Sequence, residues 1–310
     1  MFRKLALVLF VLALLVSACA APATPQPTAV PTGISVTDGL GRVVKLAGPA
    51  QKIVSMAPSN TELLFAVGAG KQVIARDDFS DFPAEVSALP KIGGTNKYNI
   101  EQIVALKPDL VLMAEINTPE QVKSIEDLGI TVYYLANPKT LEDMYTNLLI
   151  VASLTGHEKD AASLIETLKT RVAALDEKLK AVTSRPVVFY ELDSTDPAKP
   201  YTAGPGTFVD LLIVRAGGAN LTTAAGIKDP YPQVSVEQVV TTDPDKIVLG
   251  DSMWGTTIES VGQRPGWEKL KAVVGQQIFP FDDNLVSRPG PRLVDGLEAL
   301  AKLIHPELFK

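Results

Sequence analysis

Short apolar runs alternate with amphipathic segments along most of this chain. Runs rich in β-branched and aromatic residues, bounded by turn signals, are typical of buried strands. Such runs occur at 53–56, 73–75, 110–113, 131–134, 187–190, 247–249 and 278–279. Helical patterns lie between them. Strand–helix–strand alternation of this kind predicts an α/β fold with parallel sheets.

Residues that commonly begin helices precede several of the helical patterns. The segment S-N-T-E from Ser59 has the form of a capping box. Asn99, Thr207 and Ser235 are predicted to begin three further helices through their side chains. A terminal helix is predicted over 291–304.

One uninterrupted helical pattern lies between the two halves of the chain, over 157–184. Six apolar residues recur there at helical spacing: Leu164, Leu168, Val172, Leu175, Leu179 and Val182. We expect one helix of about 25 residues, ~38 Å long at the usual rise. This helix would join a first lobe over 33–156 to a second lobe over 185–310. The alternative is a large crossover helix inside a single domain.

One phrase occurs twice, as NIEQIVALKPDLVLM from Asn99 and as SVEQVVTTDPDKIVLG from Ser235. Both copies predict a helix, a Pro-Asp turn and a buried strand. Glu101 and Glu237 are second in their helices, where a carboxylate interacts favourably with the helix dipole. That interaction is sufficient to explain either residue alone. As a pair of like charges on two related lobes, they would suit a basic, roughly symmetric partner.

The first 32 residues are typical of a secretion signal and a membrane anchor, and we do not expect them to belong to the folded body of the protein. An apolar run at 5–16 follows a basic start and is too short to span a bilayer. It ends in V-S-A-C, which is similar to a bacterial lipobox, so we predict a signal peptide over 1–18 and lipidation of Cys19. Residues 19–32 are rich in Pro and Thr and predict a tether. The alternative is a plain signal peptide with an incidental Cys.

Composition excludes several classes of function. Removing Arg3 and Lys4 with the signal peptide leaves 27 basic and 35 acidic residues, a net charge of −8, so no nucleic-acid partner is expected. One Cys allows no intrachain disulfide. His157 and His305 are too few and too far apart for a zinc or manganese site.

The chain also lacks the motifs of common enzymes. The segment G-A-G-K from Gly68 lacks the remaining residues of a phosphate-binding loop and is predicted to be a helix stop. No G-x-S-x-G elbow is present. We therefore expect no hydrolase activity.

Several phrases in a characteristic order identify a family resemblance. They include QKIVSMAPSNTELLFAVGAG from Gln51, FSDFPAEV from Phe79, the repeated phrase, YTAGPGTFVDLL from Tyr201 and SRPGPRLVDGL from Ser287. Over nearly all of its mature length the chain resembles the substrate-binding proteins of type II ABC importers for cobalamin and ferric siderophores. The resemblance implies two Rossmann-like lobes joined by one backbone helix. It also implies a binding protein rather than an enzyme, and a monomer that serves a membrane permease and its ATPase.

The resemblance and the residues together suggest the sites. The family docks one Glu per lobe onto permease arginines, and Glu101 and Glu237 match those positions. Five aromatic residues follow strands in loops and could face a ligand between the lobes or pack under their own lobe. Family positions favour Phe79, Tyr201 and Tyr231 among them. The full predicted ligand set is Pro58, Ser59, Asp78, Phe79, Tyr98, Tyr201, Tyr231, Trp254, Asp283 and Arg288.

The identity of the ligand is a choice among three. Y-P-Q-V-S from Tyr231 and S-D-F-P from Ser80 resemble the cobalamin binders, although Thr95 stands near a position where a large aromatic is expected. A ferric siderophore is the alternative, and haem is less expected because neither His is near the cleft, although Tyr98 could ligate iron. No protein-bound cofactor is expected, although the ligand itself would carry cobalt or iron. An anchored sensor for such a ligand is the alternative from another class.

Overall fold

Two sheets, one before and one after a long helix, make up the body of the protein in the computed structural model, which describes residues 33–94 and 97–310. The predicted signal peptide, Cys19, the tether and Thr95 lie outside the described residues. We call the part before the long helix the first lobe and the part after it the second lobe.

The first lobe is built on a parallel sheet of four strands in the order β4-β3-β7-β8. Its strands are β1 (Ile34–Thr37), β2 (Val43–Leu46), β3 (Ile53–Ser55), β4 (Val73–Arg76), β5 (Gly93–Gly94), β6 (Lys97–Tyr98), β7 (Leu110–Ala114) and β8 (Val132–Leu135). Its helices are α1 (Pro58–Ala66), α2 (Ile100–Leu106), α3 (Pro119–Glu126) and α4 (Leu141–Thr155), with 3₁₀ turns at Ala69–Gln72 and Ala84–Ala88. The pairs β1–β2 and β5–β6 are antiparallel ribbons outside this sheet.

The second lobe has a sheet in the order β10-β9-β12-β13, in which β11 also pairs with β9. Only β10 is antiparallel to its neighbour among these pairings. Its strands are β9 (Val187–Asp193), β10 (Tyr201–Thr202), β11 (Ala219–Asn220), β12 (Lys246–Leu249) and β13 (Ile278–Pro280). The long helix is α5 (Glu158–Leu179), and the helices after it are α6 (Phe208–Arg215), α7 (Leu221–Ala224), α8 (Val236–Thr242), α9 (Ile258–Gly262), α10 (Lys271–Val274), α11 (Asn284–Ser287) and α12 (Leu293–Ile304). Two 3₁₀ turns lie at Gly250–Trp254 and Pro306–Phe309.

The parallel strands are apolar throughout because both faces of each sheet are covered. All five residues of β7 are buried, as expected for a strand between two layers of helices. One face of the first sheet packs in a cluster with Ile103 and Val122, and one face of the second sheet packs around Trp267. The other face of each sheet contributes to a single continuous cluster that also contains α5.

The long helix has 22 residues, which gives ~33 Å at the usual rise. It is shorter than predicted: it ends at Leu179, and Val182 lies beyond it. Leu168, Val172 and Leu175 are buried as the apolar stripe predicted, together with Ala161 and Ile165. Its opposite face is charged, and no helix in the described part of the chain is long and apolar enough to cross a membrane.

The predicted capping box at Ser59 is wrong. The helix begins at Pro58, with Ala57 as N-cap and no side-chain cap. Proline fixes the backbone angle that the first helical residue requires, so the helix begins before Ser59. Ser59 is consequently a buried helical residue, and Glu62 is free to take a different role.

The repeated phrase has the same backbone structure in both lobes. Asn99 and Ser235 cap α2 and α8 through their side chains, as predicted, and Thr207 does so for α6. Both repeated helices end at a left-handed residue that is not glycine, Lys107 with φ 48° and Asp243 with φ 47°. The match extends to a conformation that few residues adopt.

The aspartate of each Pro-Asp pair accepts backbone hydrogen bonds at the start of the neighbouring central strand. One carboxylate oxygen of Asp109 accepts the backbone N–H groups of Gln51 and Lys52, both at 2.9 Å, just before β3. Asp245 accepts the N–H of Val187, the first residue of β9, at 2.8 Å. The phrase is therefore a helix–turn–strand unit that sets the start of the central strand in each lobe.

We predict that Asp109→Ala and Asp245→Ala both destabilise the protein, because each leaves backbone donors without their charged acceptor. The expected cost is about 1–2 kcal/mol for Asp109→Ala and about 1 kcal/mol for Asp245→Ala, since the latter loses one hydrogen bond rather than two. Denaturant unfolding measures both. Glu101→Ala and Glu237→Ala are matched controls from the same units, with expected changes below about 1 kcal/mol. An Asp109 variant as stable as wild type would contradict this account.

Candidate functional site

The two lobes meet where a loop of the second lobe reaches the first helix of the first lobe. Arg288 and Arg292 follow β13, and both donate to the carboxylate of Glu62 on α1. Since α1 follows β3 directly, these contacts bring the carboxyl ends of the two sheets towards each other. Clefts outside the carboxyl ends of parallel strands are the usual ligand sites of such folds. The candidate site is therefore the cleft between these two edges.

Arg288, predicted as a ligand anchor, is engaged across the cleft. Its guanidinium donates to Glu62 Oε1 at 3.1 Å and to Asp81 Oδ1 at 2.5 Å. Burial opposes its charge, but the hydrogen bonds to Asp81 and Glu62 raise the pKa of Arg288 overall. Both partners of Arg288 lie in the other lobe.

Two predicted aromatic residues of the second lobe lie in neighbouring segments. Tyr201 forms an isolated bridge with Gln233, and Gly204 donates its N–H to Pro230 O at 2.8 Å. A Cβ on Gly204 would lie 2.1 Å from the Asp229 carbonyl oxygen, so the close approach requires glycine. This pairing places Tyr201 next to the loop of Tyr231, and both rings are partly exposed.

The other two predicted aromatic residues with exposed rings, Phe79 and Trp254, follow strands of different sheets. Phe79 follows β4 and rests on Gly94, where a Cβ would lie 2.8 Å from the ring. Trp254 ends the 3₁₀ turn after β12, and 82% of its surface is exposed. The indole therefore offers a flat apolar face to solvent at the carboxyl end of the second sheet.

Tyr98 differs from the other aromatic residues because its hydroxyl is already used. It donates to Met56 O at 3.0 Å and accepts from Asn117 Nδ2 at 2.7 Å. Burial, with Asp77 and Asp78 nearby, raises the pKa of Tyr98 to about 12. A phenolate that could ligate iron is therefore disfavoured at this position.

Carboxylates lie close enough to two tyrosines of the cleft to shift their pKa values. Tyr231 has its pKa raised by burial, by Asp283 of its own lobe and by Glu115 of the other lobe. Burial likewise raises the pKa of Asp283, which accepts a hydrogen bond from Tyr190 at 2.9 Å. Asp78 is exposed beside Phe79. Thus the charged groups that shift the pKa of Tyr98 are acidic, and so are the different groups that shift the pKa of Tyr231.

The remaining predicted residues contribute unequally. Pro58 is half-buried at the start of α1, whereas Ser59 is buried beneath the loop that contains Gly290. The second lobe also has two cavities beside the cleft, of about 770 and 650 Å³. Met253 lines the first cavity and Trp254 the second. Asp251 also lines the second, and its Oδ1 is buried without a hydrogen-bond partner in the described part of the chain.

Sequence reasoning missed several residues of the cleft. Glu62, Asp81 and Arg292 have partners far away in sequence, which no local pattern reveals. Glu115 could have been found, because it is the first polar residue after the fully apolar β7 and lies at the carboxyl end of that strand. Phe82 is partly exposed and lies beneath Arg292, with 4.2 Å between the guanidinium carbon and the ring centre.

Glu101 and Glu237 lie outside the cluster that joins the lobes. Both are exposed in the first turn of their helices, and the described residues offer neither an ion-pair partner. Because a turn of three residues reverses the chain between each helix and its strand, both helix starts lie towards the carboxyl edge of their sheet. The two glutamates are therefore on the same side of the sheets as the cleft.

The two histidines are remote from the cleft, as predicted. His157 precedes α5 and contacts Gln72 at 2.9 Å, and His305 ends α12 and contacts the carbonyl oxygen of Gly217 at 3.1 Å. Among the described residues, no group of three or more His, Cys, Asp or Glu side chains could hold a metal ion.

Comparison with known proteins defines the class. A family model described as periplasmic binding protein matches residues 53–285, and the chain belongs to that family. It is 33% identical over 282 residues to the uncharacterized ABC transporter substrate-binding lipoprotein YvrC of Bacillus subtilis, covering 89% of this chain and 87% of the relative.

Two solved structures resemble the fold closely. The periplasmic heme-binding protein RhuT of Roseiflexus sp. RS-1 in its apo form is 28% identical, with a TM-score of 0.75 over 84% of this chain and 99% of that one. The periplasmic vitamin B12 binding protein BtuF of Vibrio cholerae is 26% identical, with a TM-score of 0.71 over 84% of this chain and 99% of that one. The predicted fold, two α/β lobes joined by a long helix, is confirmed.

We predict that the Tyr98 hydroxyl ionises well above the ordinary range of a tyrosine side chain. The ultraviolet titration of wild type minus that of Tyr98→Phe should give one phenol with a pKa of about 12. Since folding raises this pKa above the unfolded value of ~10, the stabilisation by the neutral phenol is complete below pH ~10. It is lost as the pH rises towards the folded value. A difference curve centred near pH 10 would show that the hydroxyl is not held as described.

Proposed function

We propose that the protein is the extracytoplasmic substrate-binding component of an ABC importer, and that it captures a corrinoid such as cobalamin between its lobes. One observation carries the choice of ligand. Exposed aromatic rings from both lobes border a cleft in which the charged groups acting on the tyrosines are carboxylates. Flat apolar surface suits a macrocycle, and acidic surface suits a ligand that carries no negative charge.

The charge of the cleft separates the three candidate ligands. Cyanocobalamin is neutral overall and carries amide side chains around its ring, which can donate hydrogen bonds to carboxylates. Haem carries two propionates and ferric catecholate siderophores carry a net negative charge, so Asp78, Glu115 and Asp283 would repel both. The corrinoid is therefore the preferred ligand, in agreement with the vitamin B12 binder among the similar proteins.

Haem is the second candidate because the similar Roseiflexus protein binds it. Against haem stand the engaged hydroxyl of Tyr98 and the remote positions of His157 and His305. Iron in haem binders needs an axial ligand such as His, Tyr, Met or Cys, and at this cleft the exposed Tyr201, Tyr231 or Met253 would have to supply it. A neutral or cationic ferric siderophore would satisfy the charge of the cleft and remains the alternative to a corrinoid.

We predict sub-micromolar binding of cyanocobalamin or cobinamide by the soluble body, measured by spectral titration against haem and ferric siderophores. Tyr231→Ala and Trp254→Ala should each weaken corrinoid binding roughly tenfold, because each removes a ring that contacts the macrocycle. Tyr231→Phe, which keeps the ring, is the matched control and should bind within about threefold of wild type. Absence of sub-micromolar binding to any corrinoid would refute the ligand assignment.

We further propose that Glu101 and Glu237 dock the loaded protein onto arginines of the permease, and that a lipid on Cys19 tethers it to the membrane. The proposal is supported by two exposed carboxylates at matching places on the two lobes, both on the cleft side. Such charges act mainly on the rate and specificity of association. An anchored sensor that feeds a receptor is the competing possibility.

We predict that a Glu101→Ala, Glu237→Ala double variant binds ligand as wild type does but loses most ligand uptake in cells that carry the permease and ATPase. The control is a Glu158→Ala, Asp160→Ala double variant, which removes two acidic residues from the start of α5. Cells that carry this variant should take up the ligand normally. Incorporation of labelled palmitate into wild type but not into Cys19→Ser verifies anchoring in the same cells. Unimpaired uptake by the double variant would eliminate the docking role.

A further inference from the structure

Four charged side chains form one cluster across the lobes, and we call it the cross-lobe cluster: Glu62, Asp81, Arg288 and Arg292. Both oxygens of Glu62 accept from Arg292, at 2.8 Å from Nε and 2.5 Å from Nη2. Glu62 Oε1 also accepts from Arg288 at 3.1 Å. Arg288 completes the cluster through Asp81. One buried carboxylate thus holds two arginines of the opposite lobe.

The charges of the cross-lobe cluster cancel. Two carboxylates and two guanidinium groups sum to zero, and Glu62 is the buried centre, with 1% of its side chain exposed against 65% for Asp81. The arginine side chains are each 13% exposed. A charge buried to this degree requires a partner of opposite charge. Removing the Glu62 carboxylate would therefore leave the two guanidinium groups without their buried counter-ion and available to another anion.

The cluster also reaches the predicted ligand surface. Arg288 Nη2 lies 3.5 Å from the carbonyl oxygen of Phe79, whose ring is exposed on the cleft. Arg292 stacks on Phe82, which is also partly exposed. Two arginines of the second lobe therefore lie beside the ligand edge of the first lobe, yet each of them donates to a carboxylate of the protein.

We propose that Glu62 is a specificity-determining residue that withholds Arg288 and Arg292 from anionic ligands. Arginine is the preferred protein partner of carboxylates and other oxyanions because it binds them with two parallel hydrogen bonds. By occupying both guanidinium groups, Glu62 removes the positive surface that an anion would need and leaves the acidic groups of the cleft unopposed. Selectivity then results from denying contacts to the wrong ligand as well as from contacts to the right one.

This inference rests on the proposed function, in which the ligand occupies the cleft between the lobes. It adds the residue that decides the charge of the ligand. A role limited to holding the lobes together predicts a different result. Loosening the lobes would then lower the affinity for neutral and for anionic ligands alike. The ratio of affinities for two ligands that differ only in charge separates the two roles.

The test uses two such matched pairs and spectral titration of the purified soluble body. The first pair is cyanocobalamin and the monocarboxylic acid formed by hydrolysis of one of its side-chain amides. The second pair is haem dimethyl ester and haem, which differ by two propionate charges. For each protein the anion-to-neutral affinity ratio is measured within a pair, so general weakening cancels.

We predict that Glu62→Gln raises the anion-to-neutral ratio about tenfold, since a freed guanidinium would form a charge-assisted hydrogen bond to the added carboxylate. The double variant Glu62→Gln, Arg292→Gln again balances the cluster, with one guanidinium and one carboxylate, and should return the ratio to within about threefold of wild type. Asp78→Asn is the matched control: it removes one acidic charge from the cleft without freeing an arginine, and should change the ratio less than Glu62→Gln. Circular dichroism verifies that each variant is folded.

The outcomes separate this inference from the proposed function. If wild type binds haem and its ester but no corrinoid, the ligand assignment fails while the second pair still tests Glu62. If Glu62→Gln is folded and its ratio stays within about twofold of wild type in the pairs that bind, the specificity role is overturned. The same holds if the double variant keeps the raised ratio, or if wild type binds neither pair. Should Glu62→Gln fail to fold, the double variant and Asp81→Asn provide the measurement: Asp81→Asn frees one contact of Arg288 and must also raise the ratio.

Discussion

A single apolar core that runs along α5 and reaches both sheets is the constraint on which the rest of the structure depends. Buried residues of β3 and β7 in the first lobe and of β9 and β12 in the second belong to the same cluster as Leu168 and Val172. Protein interiors pack at the density of crystals, so the lobes cannot part at this place without exposing apolar surface. Arg171 of α5 reinforces the joint through Asp295 and Glu298 of α12.

Because the core fixes the spacing of the lobes, the cleft at the opposite edge must obtain its selectivity from side chains. The exposed rings provide apolar area, which is tolerant of ligand shape, and the charges decide among ligands of similar size. Buried ion pairs seldom add net stability, since desolvation offsets much of their attraction. The cross-lobe cluster is therefore better understood as a device that arranges charge than as one that holds the lobes together.

The fold could be predicted from the sequence because its signals are local. Seven short apolar runs correspond to the main parallel strands, within a residue or two at most ends. The capping prediction at Ser59 failed because Pro58 begins the helix one residue before it. The small strands β10 and β11 were missed because two residues give no periodicity. They exist because β9 offers them backbone partners, which is a tertiary effect.

The site was less predictable because charge pairing is not local. Arg288 was recognised as a cleft residue, but its partner Glu62 lies 226 residues away and was assigned to a helix cap. A sequence pattern can show that a charged residue lies in a loop after a strand. It cannot show whether the charge faces a ligand or is already neutralised by another residue. The difference matters because a free arginine would favour an anionic ligand, whereas a paired arginine would not.

The repeated phrase separates what duplication explains from what it does not. The caps, the left-handed residues Lys107 and Asp243 and the two aspartates all serve the internal structure of their own lobe. Glu101 and Glu237 have no such internal task in the described residues beyond a small interaction with the helix dipole. Any acidic, Ser or Thr residue would serve a helix start as well. The agreement of glutamate at both places is consistent with the proposed docking to a partner outside the chain, on the side to which the cleft opens.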